Sequence, residues 1–137
     1  TSVPEKYVKV WDIVKGARDA ALEFTRKSFA EKKTIRGYEV DEIARKYISE
    51  RGYGDYFLHR TGHNIGREVH GNGTHMDGLE TYDDRKVLTR TSNSIEPGIY
   101  LMGEFGVRSE IDVYITYGGK VVTTGEPIQQ DVVAILK

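Results

Sequence analysis

Residues 107–116 read Val107-Arg108-Ser109-Glu110-Ile111-Asp112-Val113-Tyr114-Ile115-Thr116 and alternate throughout. Val107, Ser109, Ile111, Val113 and Ile115 fall on one face, and Arg108, Glu110, Asp112, Tyr114 and Thr116 on the other. Successive side chains of an extended chain point to opposite faces, so the stretch predicts one half-buried strand with Glu110 in its middle. Gly118-Gly119 follows as a two-residue hairpin signal, and residues 120–124 supply the returning strand.

Upstream the period changes. Tyr7, Val10, Trp11, Val14, Ala17, Ala21, Phe24 and Phe29 recur at three-and-four spacing, and Pro4 suits a first helical turn, so one long amphipathic helix is expected from residue 4 to about 32. Its buried stripe would set Trp11, Val14, Ala21 and Phe24 against the sheet. Residues 34–38 carry Gly37 and break the pattern. Val40, Ile43, Ala44, Tyr47 and Ile48 then resume it until Gly52 and Gly54, which predicts a second, shorter helix. Helices followed by antiparallel strands make an α+β order, two helices on a curved antiparallel sheet.

Composition narrows the function. The 137 residues hold 20 Lys+Arg against 21 Asp+Glu, leaving no basic excess for nucleic acid or an anionic membrane. The absence of cysteine excludes disulfides, thiolate zinc sites, Fe-S clusters and a cysteine nucleophile, so a metal would have to use His and carboxylate. No apolar run approaches the ~20 residues of a membrane span, and the N-terminus lacks signal-peptide character, so a cytoplasmic protein is expected. The chain begins at Thr1 rather than Met, which reads as a processed product or part of a longer chain.

All four histidines lie between positions 59 and 75: His59, His63, His70 and His75. His59 and His63 stand four apart, as zinc ligands do in HExxH helices, but Arg60 follows His59 and Gly62 disfavours helix. Gly62 and Gly66 lack the Gly-Lys-Ser/Thr or the βαβ frame of a nucleotide loop. His75 reads as an ordinary polar residue at the surface or core edge.

Two carboxylates stand out. Glu96 precedes Pro97, which pushes it towards extended backbone, and Gly98 then permits a left-handed turn. Glu110 shares its strand face with Arg108 and Asp112. Such a charged row suits either a solvated face with cross-strand ion pairs or the floor of a polar site. The other acidic residues before His59, among them Asp12, Asp19 and Asp41, fit exposed helix faces.

Taken in order, His59-Arg-Thr-Gly-His63-Asn-Ile-Gly-Arg-Glu-Val-His70, then Ile95-Glu96-Pro97-Gly98-Ile99-Tyr100, then residues 106–116 resemble the C-terminal half of the metal-dependent pita-bread peptidases: Xaa-Pro aminopeptidases, prolidases and, more distantly, methionine aminopeptidases. The likeness runs from about Trp11 to Thr123. It implies hydrolysis of a peptide bond beside proline at two divalent ions, Mn, Co or Zn, held by two aspartates, one histidine and two glutamates. His63, Glu96 and Glu110 would be the ligands present, with Glu96 also the general acid/base. His70 would hydrogen-bond the substrate near the scissile bond and steady the oxyanion, His59 would line the substrate pocket, and Arg108 would hold the carboxylates in place.

Ile111 stands where the family carries an acid, but on the apolar face, so the ligand set is not disturbed. The larger departure is the aspartate pair, which no stretch upstream of Trp11 supplies. Residues 1–137 are therefore expected to be the C-terminal portion of a catalytic domain without the strands bearing the aspartates. Alone, the chain should be inactive, bind metal weakly or not at all, and form a homo-oligomer. The alternatives are a non-catalytic peptide- or protein-binding module of the same fold, or a metal-free creatinase-like hydrolase.

Overall fold

The computed structural model describes residues 2–135. Helix α1 (Glu5–Ala30) and helix α2 (Gly37–Glu50) lead into a short 3-10 turn (Gly54–Tyr56). Six strands follow: β1 (Asn64–Ile65), β2 (Ser92–Ile95), β3 (Gly98–Leu101), β4 (Phe105–Arg108), β5 (Ile111–Ile115) and β6 (Val121–Thr124). They form two antiparallel sheets, one ordered β1-β2-β5-β6 and the other the β3-β4 hairpin. No helix among the described residues is long and apolar enough to cross a membrane.

The helical spacing is realised in one core. Val10, Val14, Ala17 and Ala21 of α1 and Val40, Ala44 and Ile48 of α2 join Ile95, Ile99, Val113 and Ile115 of the strands. Trp11 is only 6% exposed, but its indole N–H reaches 3.1 Å to the Gln130 carbonyl, in the chain beyond β6. Tyr7 is exposed and stacks on Phe105 at 4.0 Å. Gly37 opens α2 rather than preceding it, and any side chain at this position would overlap the His75 carbonyl. Glu39 accepts the Arg36 amide at 2.6 Å and closes the helix start.

Residues 107–116 keep their alternation of burial but are not one strand. Ser109 and Glu110 interrupt the ladder: the half before them pairs with β3, and the half after them with β2 and β6. The Ser109 amide instead donates to the Pro97 carbonyl at 3.3 Å. Glu110 thus sits at a junction between two sheets, not mid-strand.

Two turns also differ from expectation. The β5-β6 hairpin spans Tyr117, Gly118 and Gly119, with only Gly119 left-handed (φ 84), which is a three-residue loop rather than a Gly-Gly turn. Gly98 has no positive φ; it begins β3, where a β-carbon would lie 2.6 Å from the Tyr100 hydroxyl.

Asp41 corrects the expectation of an exposed helix face. It is 1% exposed, and its carboxylate takes Arg45 Nε at 2.9 Å, Arg45 Nη2 at 3.0 Å and the Thr61 amide at 2.8 Å. Arg45 extends the clamp to the carbonyls of Phe57 (2.9 Å) and His59 (2.8 Å). Helix α2 thereby fixes the segment that delivers the histidines.

Candidate metal centre

His63 and Glu96 meet because the backbone ahead of β1 is laced to β2. The Glu96 amide donates to Thr61 O at 2.6 Å, the Ser94 amide to His63 O at 2.9 Å, and the His63 amide to Ser94 Oγ at 3.0 Å. The Ser94 hydroxyl then donates to Glu96 Oε1 at 3.1 Å. One buried serine therefore ties the His63 backbone to the Glu96 carboxylate. Ser94 lies two residues before Glu96, so the period of two in β2 is the sequence signal that points to it.

The tips converge. His63 Nε2 is 3.2 Å from Glu96 Oε1, and one ligand atom each from His63, Glu96 and Glu110 lie within 4.8 Å of one another. Arg108 Nη1 stands 3.6 Å from Glu96 Oε2. The His63 Nδ1 atom is 3.1 Å from the Asn64 carbonyl, which can only accept, so Nδ1 donates to it and Nε2 is the ring nitrogen turned towards the carboxylates.

The electrostatics suit a cation. Burial pushes the Glu110 carboxyl above its ordinary range, and the nearby Glu96 and Asp112 carboxylates push it further. Among the described residues Asp112 Oδ1 is buried with no hydrogen-bond partner, and Asp112 lines a cleft of about 370 Å³ together with Arg18, Arg108 and Glu110. One imidazole lone pair and clustered carboxylate oxygens form the hard N/O donor set that divalent ions favour, so these residues fit a metal.

The other histidines separate by surroundings. His59 Nε2 pairs with the Tyr100 hydroxyl at 2.7 Å, and burial raises the Tyr100 phenol above its usual value. The exposed His70 sets its ring 4.3 Å from that of His63, edge to face at 75°. His75 takes the Asn64 amide on Nδ1 at 3.0 Å, a structural bond, and burial followed by the Arg60 charge lowers its pKa. Tyr100, Ser94 and Asn64 are participants the sequence did not single out, and Asp41 was expected on an exposed helix face.

Known proteins are similar to this chain in sequence and fold. The profile of metallopeptidase family M24 matches residues 2–117. An Xaa-Pro dipeptidase of Pyrococcus furiosus is 38% identical over 115 residues, 84% of this chain and 30% of that protein. An Xaa-Pro dipeptidase of Lactobacillus helveticus is 36% identical over 115 residues, 84% of this chain and 28% of that protein. The prolidase of Pyrococcus horikoshii superposes with a TM-score of 0.81 at 32% identity, covering 96% of this chain and 35% of that one. An X-Pro aminopeptidase of Thermotoga maritima gives 0.78 at 32% identity over 96% and 35%. The chain thus spans about 30% of the length of the curated relatives it matches. Its two helices and antiparallel sheets have the pita-bread architecture of those structures, and the chain belongs to metallopeptidase family M24.

Proposed function

We propose that this chain supplies His63, Glu96 and Glu110 to a divalent-metal site of an Xaa-Pro type peptidase. The observation that carries the reading is the approach of these three ligand groups within 4.8 Å. Manganese, cobalt or zinc suits the donor set. When bound, such ions acidify water and polarise a carbonyl.

The chain's own residues have separable tasks. Glu96 takes a proton from the attacking water and returns it to the leaving nitrogen, while Ser94 and Arg108 hold its carboxylate in place. His70 donates to the substrate carbonyl oxygen, and His59, backed by Tyr100, borders the peptide. The substrate is a peptide with proline after the scissile bond, by analogy with the dipeptidases it resembles.

The test is a chimera in which residues 2–117 replace the matched segment of the Pyrococcus furiosus dipeptidase. Manganese-dependent hydrolysis of an Xaa-Pro dipeptide, abolished by His63→Ala or Glu110→Gln, supports the proposal. A folded chimera that binds peptide without cleaving it would instead make this a binding module. The 137-residue chain by itself should show no turnover. It should run as a dimer or larger in light scattering, as its exposed apolar side chains, among them Met102 at 90%, favour.

A further inference from the structure

Asn64 follows His63 directly and ties the loop that carries His70 to β2 and His75. Its carboxamide oxygen accepts the Gly73 amide at 3.0 Å, and its Nδ2 donates to the Ser92 carbonyl at 3.1 Å. Its backbone carbonyl accepts both the Gly71 amide at 2.8 Å and His63 Nδ1–H at 3.1 Å. Its amide donates to His75 at 3.0 Å. The chain from 65 to 73 therefore leaves Asn64 and returns to it.

Two glycines make room for this. A β-carbon at Gly71 would overlap Asn64 Oδ1, and one at Gly73 would lie 2.6 Å from Cγ and 2.7 Å from Nδ2. The carboxamide occupies the space that side chains would fill. His70 is exposed, and among the described residues its ring has no hydrogen bond, so its approach to His63 depends on the backbone at Gly71.

We propose that Asn64 is a positioning residue for His70: its carboxamide, enclosed by Gly71 and Gly73, holds the loop that sets the His70 ring against His63. The consequence for function rests on the peptidase reading, in which His70 meets the substrate, but the positioning itself does not. The Asn64 carbonyl also accepts from His63 Nδ1, so one residue touches both the ligand histidine and the loop of the substrate-facing one.

The test is NMR on the isotopically labelled 137-residue chain without metal or peptide, so a failure of the peptidase reading leaves the result interpretable. Wild type should show contacts between the His63 and His70 rings. Asn64→Ala should abolish them and speed Gly73 amide exchange at least about tenfold, while Gly62 and Met76, which bond each other, keep their protection. Gly73→Ala should act likewise by expelling the carboxamide. Asn64→Asp, which retains an acceptor for Gly73, should keep the ring contacts. Should Asn64→Ala lose the Gly62 and Met76 protection, the Gly73→Ala and Asn64→Asp pair decides. Absence of the ring contacts in wild type, or their persistence in Asn64→Ala or Gly73→Ala with unchanged exchange of the residue-73 amide, overturns the proposal.

Discussion

Asp41 on helix α2 and Glu96 immediately after β2 are joined through one residue: Thr61 gives its amide to Asp41 at 2.8 Å and its carbonyl takes the Glu96 amide at 2.6 Å. A buried helix carboxylate therefore sets the height of a candidate metal ligand. Asp41→Ala would strand Arg45 and leave the Thr61 amide without its acceptor, at a cost of about 3 to 5 kcal/mol. Asp41→Asn keeps one acceptor and should cost less. Urea unfolding measures both, and a loss under about 1 kcal/mol for Asp41→Ala would remove the clamp from the account.

Trp11 is covered by the chain beyond β6 and donates to Gln130 O. Trp11→Ala should destabilise by about 3 kcal/mol or more through the cavity it leaves. Trp11→Phe, which loses mainly the N–H bond, should cost closer to ~1 kcal/mol. Equal losses for the two variants would mean that packing of the ring contributes little.

Lys32 ends α1 with φ 55, while Lys32 N–H bonds Phe29 O at 3.0 Å and Lys33 N–H bonds Ser28 O at 2.8 Å. This is a Schellman cap with lysine where glycine avoids the β-carbon penalty. Lys32→Gly should therefore stabilise the chain by about 0.5 to 1 kcal/mol, read as a shift of the urea midpoint at constant slope. A destabilised variant would show that the cap is not strained.

Burial alone would raise the Asp83 carboxyl, but the Arg85 side chain and the His75 and Arg85 amides outweigh it and hold its pKa at about 2. A folded-state pKa below the unfolded ~3.9 adds stability above pH 4, and that stability disappears as pH falls from about 4 to about 2. Asp83→Asn should be less stable at neutral pH and show a flatter stability profile over that window. A parallel profile for wild type and variant would contradict the pairing.

The helices and the faces of the strands were legible because burial follows the side-chain period, and Val107, Ser109, Ile111, Val113 and Ile115 all stay on the inner side. The break at Ser109-Glu110 was not, since it depends on β4 finding β3 while β5 finds β2. Asp41 and Arg45 look like a surface i,i+4 pair until the carbonyls of Phe57 and His59 cover them. Asn64 was silent for a similar reason: its partners Gly71 and Gly73 read locally as loop, and only the closed chain shows what they enclose.

The central claim, that His63, Glu96 and Glu110 form a divalent-metal site, is tested most directly by titrating Mn²⁺ into the labelled chain and mapping paramagnetic broadening. The expected result is weak binding whose broadening centres on His63, Ser94, Glu96 and Glu110 and disappears in Glu110→Gln. Broadening scattered over the exposed acidic residues, or centred there and unchanged in Glu110→Gln, would contradict it.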